Sequence, residues 1–263
     1  MSKNAKLSQE LSMSRFKDNK TLGNVRSIET FGTFDGPGIR YVLFLQGCPF
    51  RCQYCHNRDT WSTDENKMMS VDEVLHDFEL YGHFYKNGGI TVSGGEALLQ
   101  LGFITELFKQ AKLRNIHTCL DTSAGSYRPS NVAMYRELLK YTDLVLLDIK
   151  HINDQKHRIL TKQSNKLVLE FAKLLDQVQA PTIVRHVLIP TITDDLKDLN
   201  DMRDFLDGLN NLIGIEVLPY HTTGIKKWEE MGIDYELADI KEPTIKEVEQ
   251  VELILKKDYI FKR

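Results

Sequence analysis

The sequence predicts an α/β fold built on a parallel sheet, and three observations carry that expectation. Six short runs rich in Val, Ile, Leu or aromatic residues recur along the chain, as strands buried on both faces do. Longer amphipathic stretches lie between them. The two kinds alternate, which demands right-handed crossovers between parallel neighbours. A barrel-like and a doubly wound arrangement both fit this pattern. In either one, functional residues gather at the C-terminal ends of the strands.

The strands are expected at residues 40–46, 90–93, 116–121, 144–150, 182–189 and 213–219. Helices are expected at 71–81, 102–112, 131–139, 166–177, 196–209 and 244–258. Ser70-x-x-Glu73 before the first helix reads as a capping box, and Ser130 stands as a candidate cap before the third. Leu167, Phe171, Leu174 and Leu175 repeat at the spacing of a helix with one buried face. Residues 1–22 are polar without a sustained apolar stripe and read as a loosely docked extension. No repeat, basic block or Pro-rich linker divides the rest, so 23–263 is read as a single domain.

Composition removes several classes of function. The 263 residues carry 34 Lys and Arg against 37 Asp and Glu, a net charge of −3. That balance gives no global basic field for gripping nucleic acid. The longest uninterrupted apolar run is Tyr41 to Leu45, far short of the roughly 18 residues that span a bilayer. The first twenty residues contain no apolar core of a secretory signal. A cytoplasmic protein is expected.

The chemistry concentrates in the cysteines. Four cysteines in a chain of this length do not make a disulfide scaffold. Cys48, Cys52 and Cys55 share one short loop directly after the first strong strand, while Cys119 is distant and reads as a small buried hydrophobe. Three thiolates in one loop can ligate three irons of a cubane iron–sulfur cluster and leave the fourth iron open. The alternative is a zinc site with Cys119 or His56 as fourth ligand. Zinc ligands usually come as two separated pairs, however, and no second pair exists here.

Cys-x3-Cys-x2-Cys on a β/α chain is the signature of the radical S-adenosylmethionine (SAM) superfamily, which this sequence resembles. The match extends over Gly32-Thr33-Phe34-Asp35-Gly36-Pro37-Gly38-Ile39-Arg40, Cys55-His56-Asn57-Arg58-Asp59-Thr60-Trp61, Ser93-Gly94-Gly95-Glu96-Ala97, His117-Thr118-Cys119-Leu120-Asp121-Thr122 and Leu218-Pro219-Tyr220-His221. Together these segments resemble the glycyl-radical-enzyme activases, those acting on pyruvate formate-lyase in particular.

The resemblance implies a partial (β/α)6 TIM-like barrel. It implies a [4Fe-4S] cluster on Cys48, Cys52 and Cys55, with SAM chelating the fourth iron. Reductive cleavage of SAM would give a deoxyadenosyl radical that abstracts hydrogen from a glycine of pyruvate formate-lyase, leaving a glycyl radical there. No side-chain acid or base is required; cluster and cofactor carry the chemistry. A flavodoxin or ferredoxin-type electron donor and a monomeric state are implied too.

Residue by residue, the resemblance implies SAM contacts from Tyr54, Cys55, His56, Gly94, Asp148, Ile149, Lys150 and His221. Lys150 would pair with the SAM carboxylate and Asp148 would lie against the sugar. A monovalent cation is expected on Asp121, Thr122, the backbone of Leu146, and Asp148; an acid pair facing water is the rival reading. Asp35 is expected to hold the partner's glycine loop, in a segment whose Asp-Gly and Pro-Gly pairs also read as a tight turn. Activases with inserted ferredoxin-like domains need about eight further cysteines, which the count of four excludes. An activase of another glycyl-radical enzyme and a non-catalytic zinc-binding interaction protein are the remaining alternatives.

Overall fold

Apolar runs become inner strands here where helices or loops cover both faces. A computed structural model describes residues 21–255. In chain order it contains β1 (Leu22–Gly32), β2 (Arg40–Leu45), β3 (Lys67–Ser70), α1 (Val71–Leu80), β4 (Gly89–Gly94) and α2 (Leu101–Leu113). There follow β5 (His117–Thr122), α3 (Val132–Leu139), β6 (Leu144–Asp148), α4 (Asp154–Thr161) and α5 (Lys166–Gln177). The rest is β7 (Thr182–Leu188), α6 (Leu196–Asp207), β8 (Leu212–Pro219), α7 (Ile225–Glu230) and α8 (Ile245–Leu255).

All eight strands form one sheet in the order β3-β1-β2-β4-β5-β6-β7-β8. From β2 to β8 every pairing is parallel, whereas β1 runs antiparallel to both β2 and β3. The sheet curls, because segments next to β2 and residues of β8 line the same cavities at both ends. It does not close, since β3 and β8 are its two edges. The result is the partial barrel of six parallel strands, with the helices outside.

Local chemistry explains the elements that the sequence announces. Ser70 accepts from the Glu73 amide, and the Glu73 carboxylate accepts from the Ser70 amide at 2.7 Å, so the capping box forms. α1 then buries Val74, Leu75 and Phe78. α5 spans the expected residues and buries Phe171, Leu174 and Leu175, with Leu167 half-buried beside them. Each such side chain contributes roughly 1.5–3 kcal/mol on full burial.

Several boundaries differ from the expectation. Residues 1–20 lie outside the described residues, and Leu22, assigned to the extension, begins β1. β1 escaped notice because only Gly23, Val25 and Gly32 are buried, the rest being half-exposed or exposed, and its pairing with β2 is bulged. β3 is too short to show a pattern. Ser130 caps nothing: it lies in a 3-10 turn and donates to the Asn131 side chain, while α3 has no side-chain cap. The two short helices α4 and α7 are additions; α4 buries only His157, Leu160 and Thr161. The last expected helix is described as far as Leu255, and residues 256–258 of that expectation lie outside the described residues. Among the described residues no helix is long and apolar enough to cross a membrane.

Candidate active site

The C-terminal strand ends open into a cavity of about 270 Å3. Cys48, Cys52 and Cys55 form one wall, Gly94 and Gly95 a second, and Asp121, Asp148, Lys150 and Arg185 the floor. Tyr54, His56 and His221 complete the rim. The sequence expectation brought most of these together. Ile149 is the exception, for its side chain is fully buried in the core and its amide donates to Arg185 O at 3.0 Å. Strand alternation turns it away from the face that Asp148 and Lys150 share.

The cysteine loop is fixed by backbone groups. The amides of Arg51 and Gln53 donate to Thr161 O (2.8 Å) and Leu160 O (3.0 Å), carbonyls at the C-terminal end of α4. Helix-terminal carbonyls lack intrahelical donors, so loop and helix satisfy each other. The Cys55 amide closes a turn onto Cys52 O at 3.1 Å. Trp228 Nε1–H donates to Cys55 O at 2.8 Å, and Trp61 Nε1–H donates to Cys55 Sγ at 3.3 Å.

All three thiols are free, and burial pushes each above its ordinary pKa, Cys52 to about 12. The Lys150 ammonium pulls Cys52 part of the way back. Buried thiolates this close together need a cation, and a cluster iron supplies one by displacing the protons. Among the described residues no three His, Cys, Asp or Glu side chains converge closely enough to hold a single metal ion. The donor set suits a cluster whose irons take one thiolate each better than it suits zinc.

The glycine pair lines the cavity and also allows close backbone packing. Gly94 sits at φ +130°, and a Cβ there would meet the Leu45 backbone at 2.3 Å. At Gly95 a Cβ would meet Gly47 O at 2.3 Å. These glycines let β4 pack directly on the start of the cysteine loop, which fixes the cavity's width. Glu96 then reaches across to the turn after β5. It accepts from Thr122 Oγ1 (2.5 Å), Ser123 Oγ (2.6 Å) and the amides of Leu98, Ser123 and Gly125. The sequence reading quoted Glu96 without giving it a role.

Arg185 is the residue that sequence reasoning missed outright. Its Nε donates to Asp148 Oδ1 at 3.0 Å and its Nη2 to Asp121 Oδ1. Lys150 Nζ donates to Asp148 Oδ2 at 2.6 Å, and Ser93 Oγ to Asp121 Oδ2 at 2.7 Å. Two acids and two bases thus neutralise one another in a row. Burial alone would raise Asp148, but Arg185 and Lys150 hold it down at about 2. Asp121 is pushed up by burial and by Asp148, against the pull of Arg185. Arg185 thus compensates the two acids on which a monovalent cation was expected. Thr122 Oγ1 donates to Glu96, and the Leu146 side chain lies in a lower apolar cluster with Cys119, Leu144 and Ile183, so only its backbone is left to face the acids. The signal was available: an Arg inside an apolar run that should be buried on both faces.

The His56 and His221 rings meet at a tilt of 44° with centroids 4.2 Å apart, and His56 Nε2 lies 3.1 Å from His221 O. The Tyr54 ring faces Lys150 Nζ at 5.6 Å. Asp35, by contrast, is at the other end of the sheet. It belongs to the turn between β1 and β2, so the whole of β2, about 20 Å at 3.3 Å per residue, separates it from the cysteine loop. Its carboxyl nonetheless senses Asp121 and Arg185, which places it beneath the charged floor.

Comparison with known proteins agrees with this geometry. Residues 42–206 match the model of the radical SAM superfamily. Pyruvate formate-lyase-activating enzymes of Staphylococcus epidermidis and Staphylococcus aureus are 46% identical over 226 residues, covering 84% of this chain and 90% of those proteins. The fold recurs in a domain of pyruvate-formate lyase-activating enzyme from Bacteroides vulgatus (TM-score 0.53, 24% identity, 65% of this chain and 94% of that one). It recurs again in a radical SAM methyltransferase from Sphaerobacter thermophilus (TM-score 0.60, 14% identity, 98% of this chain and 79% of that one). The chain belongs to the radical SAM superfamily and, within it, to the family of pyruvate formate-lyase-activating enzymes.

Proposed function

We propose that the chain installs a glycyl radical on pyruvate formate-lyase, using a [4Fe-4S] cluster on Cys48, Cys52 and Cys55 together with SAM. The observation that carries this reading is the convergence of three free thiols, the glycine wall and a neutralised acid–base row in one cavity. When bound, the cluster and SAM supply the electron and the radical for hydrogen abstraction. The protein's own residues bind, orient and exclude water.

Lys150 presents its ammonium to the SAM carboxylate, while Asp148 keeps that ammonium charged and aimed. Asp121, Arg185 and Ser93 hold Asp148 in place. Tyr54, Cys55, His56, Gly94 and His221 wall the nucleoside side, and Ile149 contributes through its backbone to β7. A monovalent ion at Asp121 and Asp148 is left out of the proposal, because Arg185 already compensates both carboxylates. Asp35, under the floor, holds the backbone of the partner's glycine loop. The electron comes from a flavodoxin or ferredoxin-type donor, and the chain acts as a monomer.

The test is anaerobic: the iron-loaded chain, SAM, a reductant and pyruvate formate-lyase, read by electron paramagnetic resonance. A glycyl radical signal that needs all four components is expected. A chain that holds zinc instead of iron and sulfide, and yields no radical, would overturn the reading.

A further inference from the structure

The cavity takes SAM and the partner's glycine, so an electron must reach the cluster from another side. One flank of the cysteine loop is covered by the end of α4 and another by Trp228 of α7. Arg51 and Arg58 of the same loop region do not line the cavity and are both partly exposed, Arg58 lying also 5.4 Å from the Trp228 ring centroid.

These two cations share one aromatic ring. The Arg58 guanidinium lies 3.6 Å from the Trp61 ring centroid and the Arg51 guanidinium 4.8 Å from it. The indole on which they rest donates its N–H to Cys55 Sγ. A single indole therefore separates the surface charge of Arg58 from a cluster-ligand sulfur.

The charges are also uncompensated. Other cations of this region have carboxylate partners: Lys227 pairs with Asp59 at 3.4 Å, Arg26 with Asp59 at 2.7 Å and Lys162 with Glu236 at 3.6 Å. Among the described residues neither Arg51 nor Arg58 has such a partner. Arg51 spends its Nη1 on Cys48 O and Phe50 O, and Arg58 Nε is buried without a hydrogen-bond partner. Two like charges held together over one ring, with no acid beside them, form a site that an incoming carboxylate would satisfy.

We propose that the outer face of the cysteine loop, centred on Arg51 and Arg58, docks an acidic one-electron carrier protein that reduces the cluster from the side away from SAM. This rests on the proposed function, since it presupposes the cluster. One electron leaves the carrier's reduced centre and enters the cluster; no bond forms or breaks, and no proton moves. Such encounters are small and transient, generally below about 1,200 Å2. Complementary charge accelerates them without making them tight. The Trp61 platform sets the guanidiniums in place so that the carrier's redox centre arrives close to Cys55.

Arg58 is the cleaner position to test, because Arg51 also shapes the loop. Holoenzyme is mixed anaerobically with reduced flavodoxin, and cluster bleaching is followed at low and high salt. Binding of labelled flavodoxin is measured in parallel by fluorescence anisotropy. Arg58→Glu should slow the second-order rate about tenfold at low salt and weaken binding, with both effects shrinking as salt rises. Arg58→Lys should retain most of the wild-type rate. Bleaching by a small uncharged photoreductant and the iron content should be unchanged in both variants.

Equal slowing with the photoreductant would mean that Arg58 acts on the cluster itself, and would overturn the docking proposal. So would wild-type rates in Arg58→Glu with flavodoxin. Photoreduced enzyme that fails to form a glycyl radical sinks the proposed function instead, while anisotropy still decides where flavodoxin binds.

Discussion

The two ends of the barrel's inner face hold charge in opposite ways. At the C-terminal ends, Asp121 and Asp148 share Arg185 and Lys150, and every one of these groups has a partner. At the N-terminal ends, Asp35 is largely buried and has no ion-pair partner among the described residues. Its neighbours Phe34, Gly36 and Pro37 line a mostly apolar pocket of about 340 Å3 with Leu144, Leu146 and Ile183. The same residue type accordingly ends at about 2 for Asp148 and about 6 for Asp35. Burial opposes ionisation at both positions, and what differs is the compensating cation. At the upper end even Asp121, raised by burial and by Asp148, has the Arg185 guanidinium beside it. At the lower end Asp35 has no such cation in contact among the described residues.

Breaking the upper end should give the largest effects. Cys48→Ala, Cys52→Ala or Cys55→Ala should each lose stable iron and all SAM cleavage, whereas Cys119→Ala in the lower cluster keeps full iron content. Iron and sulfide assays on anaerobic protein decide it, and retention in any of the first three would unseat the ligand assignment. Arg185→Met comes next. It leaves Asp121 and Asp148 buried without their guanidinium, a loss of about 3–5 kcal/mol by the usual cost of breaking a buried ion pair. Urea unfolding measures it, and adding Asp121→Asn should recover part of the loss. A variant as stable as wild type would mean that water already compensates the acids.

That comparison also explains what was legible beforehand. The six parallel strands could be read because burial on both faces leaves an apolar run, as in β2. β1 and α4 could not, since half-exposed strands and short polar helices carry no such run. The cysteines declared themselves through spacing. Arg185 stood out only as an Arg inside a doubly buried run, because nothing in a linear sequence says that it will lie across from acids on β5 and β6. Glu96 was visible beside its glycines, but its five donors come from the turns before α2 and after β5, a contact that only the curled sheet creates. Asp35 was named by resemblance, and only the run of β2 shows that its turn lies at the opposite end of the sheet from the cysteine loop.

Lys150→Ala should have a smaller effect, confined to the cofactor. A charge-assisted contact of about 1.5–3 kcal/mol corresponds to roughly a ten- to hundred-fold rise in the SAM dissociation constant. The cluster should stay in place, because Arg185 still neutralises Asp148. Calorimetric titration of the iron-loaded variant with SAM checks this, and an unchanged constant would show that Lys150 serves Asp148 alone.

The smallest effect sharpens the comparison most, because its sign is opposite. Asp35 titrates at about 6 rather than 3.8, owing first to burial and then to the charge of Asp121, with Arg185 pulling the other way. Its folded-state pKa is raised. The folded state therefore keeps a proton that the unfolded chain has given up, and stability falls as pH rises from about 4 to about 6. Above that range the ionised carboxylate remains a standing cost. At 1.36 kcal/mol per unit, reduced for the part of the side chain that solvent reaches, the cost is about 2 kcal/mol. Asp35→Asn should therefore be more stable than wild type by about this amount at pH 8 and equal to it near pH 4, as urea titrations at the two values would show. Asp35→Ala should keep cluster and SAM binding while losing most glycyl-radical formation, so the position gives up stability for its partner. A variant of Asp35 that is destabilised at pH 8 would mean that the carboxylate has a compensating partner after all, and the contrast between the two ends would collapse.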